Sequence, residues 1–191
     1  MSESRVGVLA LQGDFALHAE LLTGLGVAVK KVRTVEELET VDGLVIPGGE
    51  STTLRKLMRR HGLDEAIVAY AATKPVLGTC AGCILLANDL GNAHGVEPLQ
   101  LIDITVERNG YGRQVDSFEA LILSDDPSLN GTEVSFIRAP RIVRVGEGVD
   151  VLGRHEDEPV AVRQGHVTAL TFHPEVTRVD AWHCAWLTSL G

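Results

Sequence analysis

The stretch Pro75 to Asn88, P-V-L-G-T-C-A-G-C-I-L-L-A-N, constrains the fold of this chain more than any other, because strand, turn and helix signals meet in it. Val76 and Leu77 make a short apolar run suited to a buried strand, and Ile84, Leu85, Leu86 and Ala87 suit a buried helix. Between them Gly78 and Gly82 stand two residues either side of Cys80. G-x-C-x-G is the thiol counterpart of the serine nucleophile elbow, a sharp strand-to-helix turn that pushes the side chain out at the sheet edge. One glycine is expected to lend the turn backbone freedom, the other to let neighbouring elements approach without a Cβ. A thiol at a helix start meets unpaired amides and the positive dipole end, which favour thiolate, and the amide of Ala81 points where an oxyanion would form. That is acyl-transfer chemistry. Cysteine is also a common small core residue, so the five-residue pattern alone leaves a packed turn residue as the alternative.

The rest of the first half repeats one pattern. Arg5 to Leu11 reads as a buried strand, and Asp14 to Leu25 as a helix with Phe15, Leu17, Leu21, Leu22 and Leu25 on its apolar face. Val27 to Val32 reads as a second strand. Thr34 with Glu37 makes a capping box for a short helix, and Gly43 to Ile46 is a third strand running into P-G-G-E-S at 47–51. A helix follows with Leu54, Leu57 and Met58 inside and a basic, solvated face, then a helical stretch from Asp64 to Thr73. Strand alternating with helix predicts a parallel sheet covered on both faces. Ligands in such sheets bind beyond the carboxyl ends of the strands, so P-G-G-E-S and G-T-C-A-G should face one crevice.

From Leu101 to Leu170 the texture changes to short runs separated by Gly, Pro, Asn and Asp: Leu101–Val106, Phe118–Leu123, Val134–Ile137, Val149–Leu152, Val160–Val162 and Val167–Leu170. This half is strand-rich and partly antiparallel. A last helix from about Thr177 carries Val179, Trp182, His183, Trp186, Leu187 and Leu190 at helical spacing.

A chain of 191 residues, 45% hydrophobic and without a linker tract, is expected to form one domain over residues 1–191. The first apolar run, Val6 to Leu11, is too short for a signal core or a membrane span, which predicts a cytoplasmic protein without a membrane partner. A net charge of −9 argues against a nucleic-acid partner. Cys80, Cys83 and Cys184 show neither zinc-ligand spacing nor a disulfide framework, so reduced thiols and no metal are expected.

A cysteine nucleophile needs a histidine in reach and usually a third group to orient it. His173 lies in T-F-H-P-E just after an apolar run, with Glu175 two residues on. Pro174 biases His173 towards an extended conformation, which turns residues 173 and 175 to the same side and lets the carboxylate hold one ring nitrogen. His18, His61, His94, His155 and His183 have no such partner and read as structural or exposed. Cys83, three residues into the new helix, reads as a core side chain, and Cys184 has no partner.

G-T-C-A-G, P-G-G-E-S-T-T and F-H-P-E, in this order, resemble class I glutamine amidotransferases, whose triad is Cys-His-Glu. V-G-V-L-A-L-Q-G at 6–13, V-E-R-N-G-Y-G-R-Q-V-D-S-F-E at 106–119, F-I-R-A-P at 136–140 and H-P-E-V-T at 173–177 look more specifically like the glutaminase subunits of pyridoxal 5′-phosphate synthases. The resemblance covers nearly the whole chain. It implies a three-layer α/β/α fold with a flavodoxin-like mixed sheet, and hydrolysis of L-glutamine to glutamate and ammonia. Cys80 would be nucleophile, His173 acid/base and Glu175 its orienter, with the oxyanion between the amides of Ala81 and Gly49. By the same resemblance Gly49, Glu50, Ser51, Arg108, Ile137 and Arg138 line the glutamine site. The chain departs from the family pattern at Cys83, where an aliphatic residue is usual, and at Val176, where leucine is common. The family works beside a synthase subunit that uses the ammonia, so pyridoxal phosphate is a product and no cofactor is implied.

Two other readings stay open at this point. A cysteine esterase or protease on the same sheet would use the elbow and His173 but would have no use for the 106–119 stretch. A non-catalytic assembly subunit would be expected to lack a triad member, and none is missing. The Gly48-Gly49 pair can flip a peptide at little steric cost, which marks it as a switch that a partner could set.

Overall fold

The computed structural model describes residues 4–91, 95–111 and 117–190. The first half alternates as its periodicity predicts: β1 (Arg5–Leu9), α1 (Phe15–Gly24), β2 (Ala28–Val32), α2 (Val35–Leu38), β3 (Gly43–Ile46), α3 (Ser51–Arg60), α4 (Leu63–Ala71), β4 (Val76–Thr79) and α5 (Ala81–Leu86). The second half is mostly strand: β5 (Ala87–Asp89), β6 (Ile102–Glu107), β7 (Ser117–Leu121), β8 (Glu133–Ile137), β9 (Arg141–Val145), β10 (Asp150–His155), β11 (Glu158–Gln164) and β12 (Val167–Leu170). Helix α6 (Ala181–Leu187) and a 3₁₀ turn at Thr188–Leu190 follow.

The main sheet has seven strands in the order β10-β11-β12-β4-β3-β1-β2. Five of them, β2-β1-β3-β4-β12, run parallel, the flavodoxin-like arrangement, and β11 and β10 add an antiparallel edge. Alternate residues of each strand feed opposite faces. Leu9, Leu44, Ile46 and Val76 pack with Leu54 and Met58 of α3, Leu63 and Ile67 of α4, and Leu85 and Leu86 of α5. Val6, Val8, Val45 and Leu77 pack with Leu22 of α1 and Trp182 and Trp186 of α6. These are the three layers. Each fully buried aliphatic side chain here is worth about 1.5–3 kcal/mol relative to exposure, so two complete faces hold the sheet rigid.

Two smaller sheets flank this core. β5, β6 and β9 form one, and β7 with β8 forms an antiparallel ribbon. The ribbon is anchored by aromatic packing: Phe118 stacks on Phe136 at 4.7 Å between ring centroids, and Phe136 meets Phe172 edge-on at 5.7 Å. Phe172 in turn meets Trp182 of α6 at 5.1 Å. Each such pair adds about 0.5–1.5 kcal/mol beyond area burial. This anchoring fixes where the end of β8 points.

Local differences from the sequence reading have physical reasons. Ala87 leaves the helix for β5 because it pairs with Ile102, so the helix ends at Leu86. β9, R-I-V-R-V, is not among the runs read in sequence as strands, and its pairing with β6 makes it one. The last helix begins at Ala181, not Thr177, because Arg178 takes a left-handed φ of 54° that interrupts any helix started earlier. The capping box at Thr34 and Glu37 forms in full. His94, and residues 112–116 of the 106–119 stretch, lie outside the described residues. Among the described residues no helix is long and apolar enough to cross a membrane.

Candidate active site

The strand register brings the candidate residues together. β3, β4 and β12 are adjacent and parallel, with Ile46 opposite Gly78 and Leu170 opposite Thr79. Their carboxyl ends therefore deliver Gly48–Ser51, Cys80 and the segment Thr171–Glu175 to one edge. The Cys80 amide donates to the Leu170 carbonyl at 2.9 Å, tying the elbow to the strand that leads to His173.

Cys80 itself carries the turn, with φ 47° and ψ −100°. A non-glycine residue here costs about 1–3 kcal/mol of backbone strain, which the buried elements on both sides over-determine. The flanking glycines serve differently from the expectation: neither has a positive φ, and both act by close approach. A Cβ on Gly78 would meet Gly82 backbone at 2.7 Å, and one on Gly82 would meet the backbone of Ile46. The elbow works because α5 lies directly against β3 and β4. Cys80 is 7% exposed, and its Sγ lies 3.8 Å from the carbonyl oxygen of Ile137, its acceptor. The amide of Ala81 opens α5, where no helical carbonyl lies upstream to pair with it.

His173 and Glu175 are both buried, and Nδ1 of the ring lies 2.7 Å from Oε1 of the carboxylate. The His173 amide donates to the Ser135 carbonyl at 2.8 Å. That bond sets the end of β8, with Ile137 and Arg138, beside the histidine. Burial works against charge on His173, but Cys80 and Glu175 outweigh it and push the imidazole up to about 10. Burial also opposes charge on Glu175, and His18 and His173 overcome it, holding the carboxyl well below the usual range. The ring is thus held as a proton donor between an acceptor and a thiol.

The Gly48–Ser51 loop is held from below by the segment after β1. The Asp14 amide donates to the Gly48 carbonyl at 3.1 Å, and the Glu50 amide donates to Gln12 Oε1 at 2.9 Å. Gly49 has φ 151° and its missing Cβ leaves room for Gln12 and Gly13, while a Cβ on Gly48 would run into the His173 ring. Both positions require glycine. Glu50 caps α3, accepting from the amides of Thr52 and Thr53 and from the Thr53 hydroxyl, and meets Arg108 at 3.5 Å. The Thr53 bond is the main cause that holds its carboxyl down to about 2. Ser51 is buried at the first helical position, and Arg138 is exposed with a left-handed φ of 43°.

The sequence reading missed what lies behind Glu175. His18 of α1 is fully buried, with Nε2 3.4 Å from Glu175 Oε2 and 3.1 Å from Thr79 Oγ1. Its Nδ1 lies 2.9 Å from Nε2 of His183 on α6. Burial, and then His18, press the His183 imidazole down to about 3. The signal available in sequence was a histidine within the apolar spacing of α1, but its partners lie 61 and 165 residues away.

Other residues fall where expected. Cys83 is wholly buried, and burial raises its thiol; Cys184 is an exposed free thiol. His155 packs against Phe118 and Phe136. Among the described residues Asp14, His173 and Glu175 gather three ligand-type atoms within 4.8 Å of one another. His173 Nδ1 and Glu175 Oε1 are already spent on each other, which leaves the set poor in free donors for a cation.

Similarity to known proteins agrees with this geometry. Residues 8–189 match the SNO glutamine amidotransferase family. The chain is 46% identical over 178 residues to the pyridoxal 5′-phosphate synthase subunit PdxT of Francisella philomiragia, covering 93% of this chain and 94% of that one. It is 49% identical over 180 residues to the PdxT of Brevibacillus brevis, covering 94% and 93%. A crystal structure of a glutamine amidotransferase superposes with a TM-score of 0.92 at 45% identity, over 97% of this chain and 98% of that chain.

Proposed function

The chain belongs to the SNO glutamine amidotransferase family, and from that premise we propose that it hydrolyses L-glutamine to L-glutamate and ammonia through a thioester on Cys80. The ammonia passes to a synthase subunit that makes pyridoxal 5′-phosphate, the vitamin B6 cofactor. The reading takes residues 1–191 as one glutaminase unit acting in the cytoplasm. One observation carries it: a cysteine at a strained elbow shares a strand-end edge with a buried His173 whose Nδ1 is 2.7 Å from Glu175.

The chemistry follows from these positions. Cys80 sulfur, its proton already held by His173, attacks the side-chain amide carbon of glutamine. The C–O double bond opens to an oxyanion that the amides of Ala81 and Gly49 stabilise, each such donor being worth about 10²–10³ in rate. As the C–N bond breaks, imidazolium donates its proton to the leaving nitrogen, and ammonia departs. A raised His173 suits this step, because the ring enters it protonated. Water then gives a proton to His173, its oxygen attacks the thioester, and glutamate leaves as the sulfur recovers its bond electrons. Glu175 fixes the Nδ1–H tautomer and the ring angle throughout.

Gly49, Glu50, Ser51, Arg108, Ile137 and Arg138 surround this edge and form the glutamine site in this reading. Glu50 contributes mainly by capping α3 and meeting Arg108, since its carboxylate is already occupied. The identities of 46% and 49% to PdxT subunits support a synthase partner and weigh against an esterase or protease. The test is glutamate release from glutamine by the purified chain with and without that partner. No release under either condition would overturn the reading.

A further inference from the structure

The rank behind the triad is a buried row of polar side chains: Glu175, His18 and His183, with Thr79 beside them. Glu175 Oε1 is taken by His173, but Oε2 is buried without a well-directed donor, and His18 Nε2 at 3.4 Å is the ring nitrogen that faces it. We propose that His18 is a positioning residue, holding a proton on Nε2 that pins the far oxygen of Glu175 and thereby fixes the near oxygen on His173. The inference rests on the glutaminase reading for its catalytic consequence, not for its structural content.

Proton placement follows from counting donors. One proton lies between His18 Nδ1 and His183 Nε2. His183 Nδ1 is buried and unpartnered. A buried N–H without an acceptor is rarer in folded proteins than a buried acceptor without a donor. Neutral His183 therefore keeps its proton on Nε2 and donates to His18 Nδ1. His18 Nδ1 accepts there, which leaves the His18 proton on Nε2. The electrostatics agree, because a bare lone pair on Nε2 would face carboxylate lone pairs at 3.4 Å where both side chains are closed to solvent. The Thr79 hydroxyl oxygen at 3.1 Å shares the same N–H. The protons thus order in one direction, His183 donating to His18, whose Nε2–H bonds the Thr79 hydroxyl oxygen and faces Glu175 Oε2 at 3.4 Å.

This row does what Pro174 and local spacing cannot. The H-P-E segment brings Glu175 near His173, but a carboxylate held at one oxygen can still swing about its own bond. An N–H on α1 facing the opposite oxygen at 3.4 Å restrains that swing. The groups facing Glu175 are then His173, His18 and, through His18, His183, while Asp14 stands 3.8 Å from His173 at the rim.

The test needs two substitutions and one spectrum. His18→Leu fills the space without a donor, and His18→Gln places an amide N–H near the Nε2 position. With the synthase partner present, His18→Leu is expected to lower kcat about tenfold with KM unchanged, the scale on which outer partners of a functional side chain usually act. His18→Gln is expected to recover most of that loss although both variants lower Tm alike. In ¹⁵N-histidine-labelled wild-type chain, His18 should show a protonated Nε2. A pyridine-like Nε2, a His18→Leu kcat within twofold of wild type, or equal kcat losses in the two variants would each overturn the proposal. Should neither variant fold, the wild-type spectrum alone decides. A wild-type chain inactive on glutamine would sink the glutaminase reading, and the spectrum would still decide the placement of the proton.

Discussion

The two sides of His173 contrast sharply. On the open side stand Cys80, the Gly48–Gly49 loop and the Glu50–Arg108 pair, whose side chains are 51% and 28% exposed. On the closed side stand Glu175, His18, Thr79 and His183, none of them reached by solvent to any useful degree. Water screens the charges of the first side, and their pairing adds little to stability. The second side has no screening, so every proton must have a partner or a cost. One ring therefore joins a region built for turnover to a region built for fixed geometry.

The contrast breaks most completely at Cys80. Cys80→Ala should lower glutamate release by at least about 10⁴-fold, because without the nucleophile no thioester forms. Circular dichroism should show an unchanged fold, since a small side chain is removed at an edge, and iodoacetamide labelling that glutamine blocks should vanish. Persistent activity, or glutamine protection of Cys83 or Cys184 instead, would place the nucleophile elsewhere.

His173 belongs to both sides. His173→Asn should cost about 10²–10⁴-fold in kcat by deleting proton transfer, and Glu175→Gln less, since it disturbs only tautomer and angle. Equal and small losses would make the pair purely structural. The synthase partner should act on the open side alone. If the resting loop leaves the Gly49 amide turned away, saturating partner should raise kcat by about 10²–10³-fold, the worth of one oxyanion donor. The Gly48 carbonyl is already bonded to the Asp14 amide, so this turn has a defined bond to break. Full activity without partner would show that the loop is competent at rest.

Stability against pH separates the sides more gently. His173 is raised from 6.5 to about 10, so its contribution is complete below pH 6.5 and is lost as pH rises towards 10. His183 is lowered from 6.5 to about 3, so its contribution is complete above pH 6.5 and fades as pH falls towards 3. Thermal melts should show that His173→Asn flattens the alkaline limb and His183→Phe flattens the acid limb. If each variant kept both wild-type slopes, other groups would carry them.

The smallest effects belong at the rim. Glu50→Ala should cost about 1 kcal/mol through loss of the α3 cap, and Arg108→Ala at most about 1 kcal/mol through loss of an exposed pair. In a chain of this size the first corresponds to a Tm shift of about 2–4 °C. A larger loss for Arg108→Ala would mean that this rim is drier than its exposure indicates.

The amino-acid sequence by itself determined the elements whose causes are local. Strand, elbow and helix around Cys80 follow from apolar runs and from glycines that only close packing requires, and the His173–Glu175 contact follows from a two-residue spacing across a proline. The crevice too was legible, because parallel strands place their carboxyl ends on one edge. Tertiary structure alone decided the rest. His18, Thr79 and His183 come from α1, β4 and α6 and look like isolated polar residues until two helices pack on one face of the sheet. Gln12 and Asp14 gained their task only when β1 and β3 paired and set the P-G-G-E-S loop above them. Periodicity records which face of an element is buried. It carries no record of which buried polar atoms from distant elements will meet, because that depends on the register and angle at which whole faces pack.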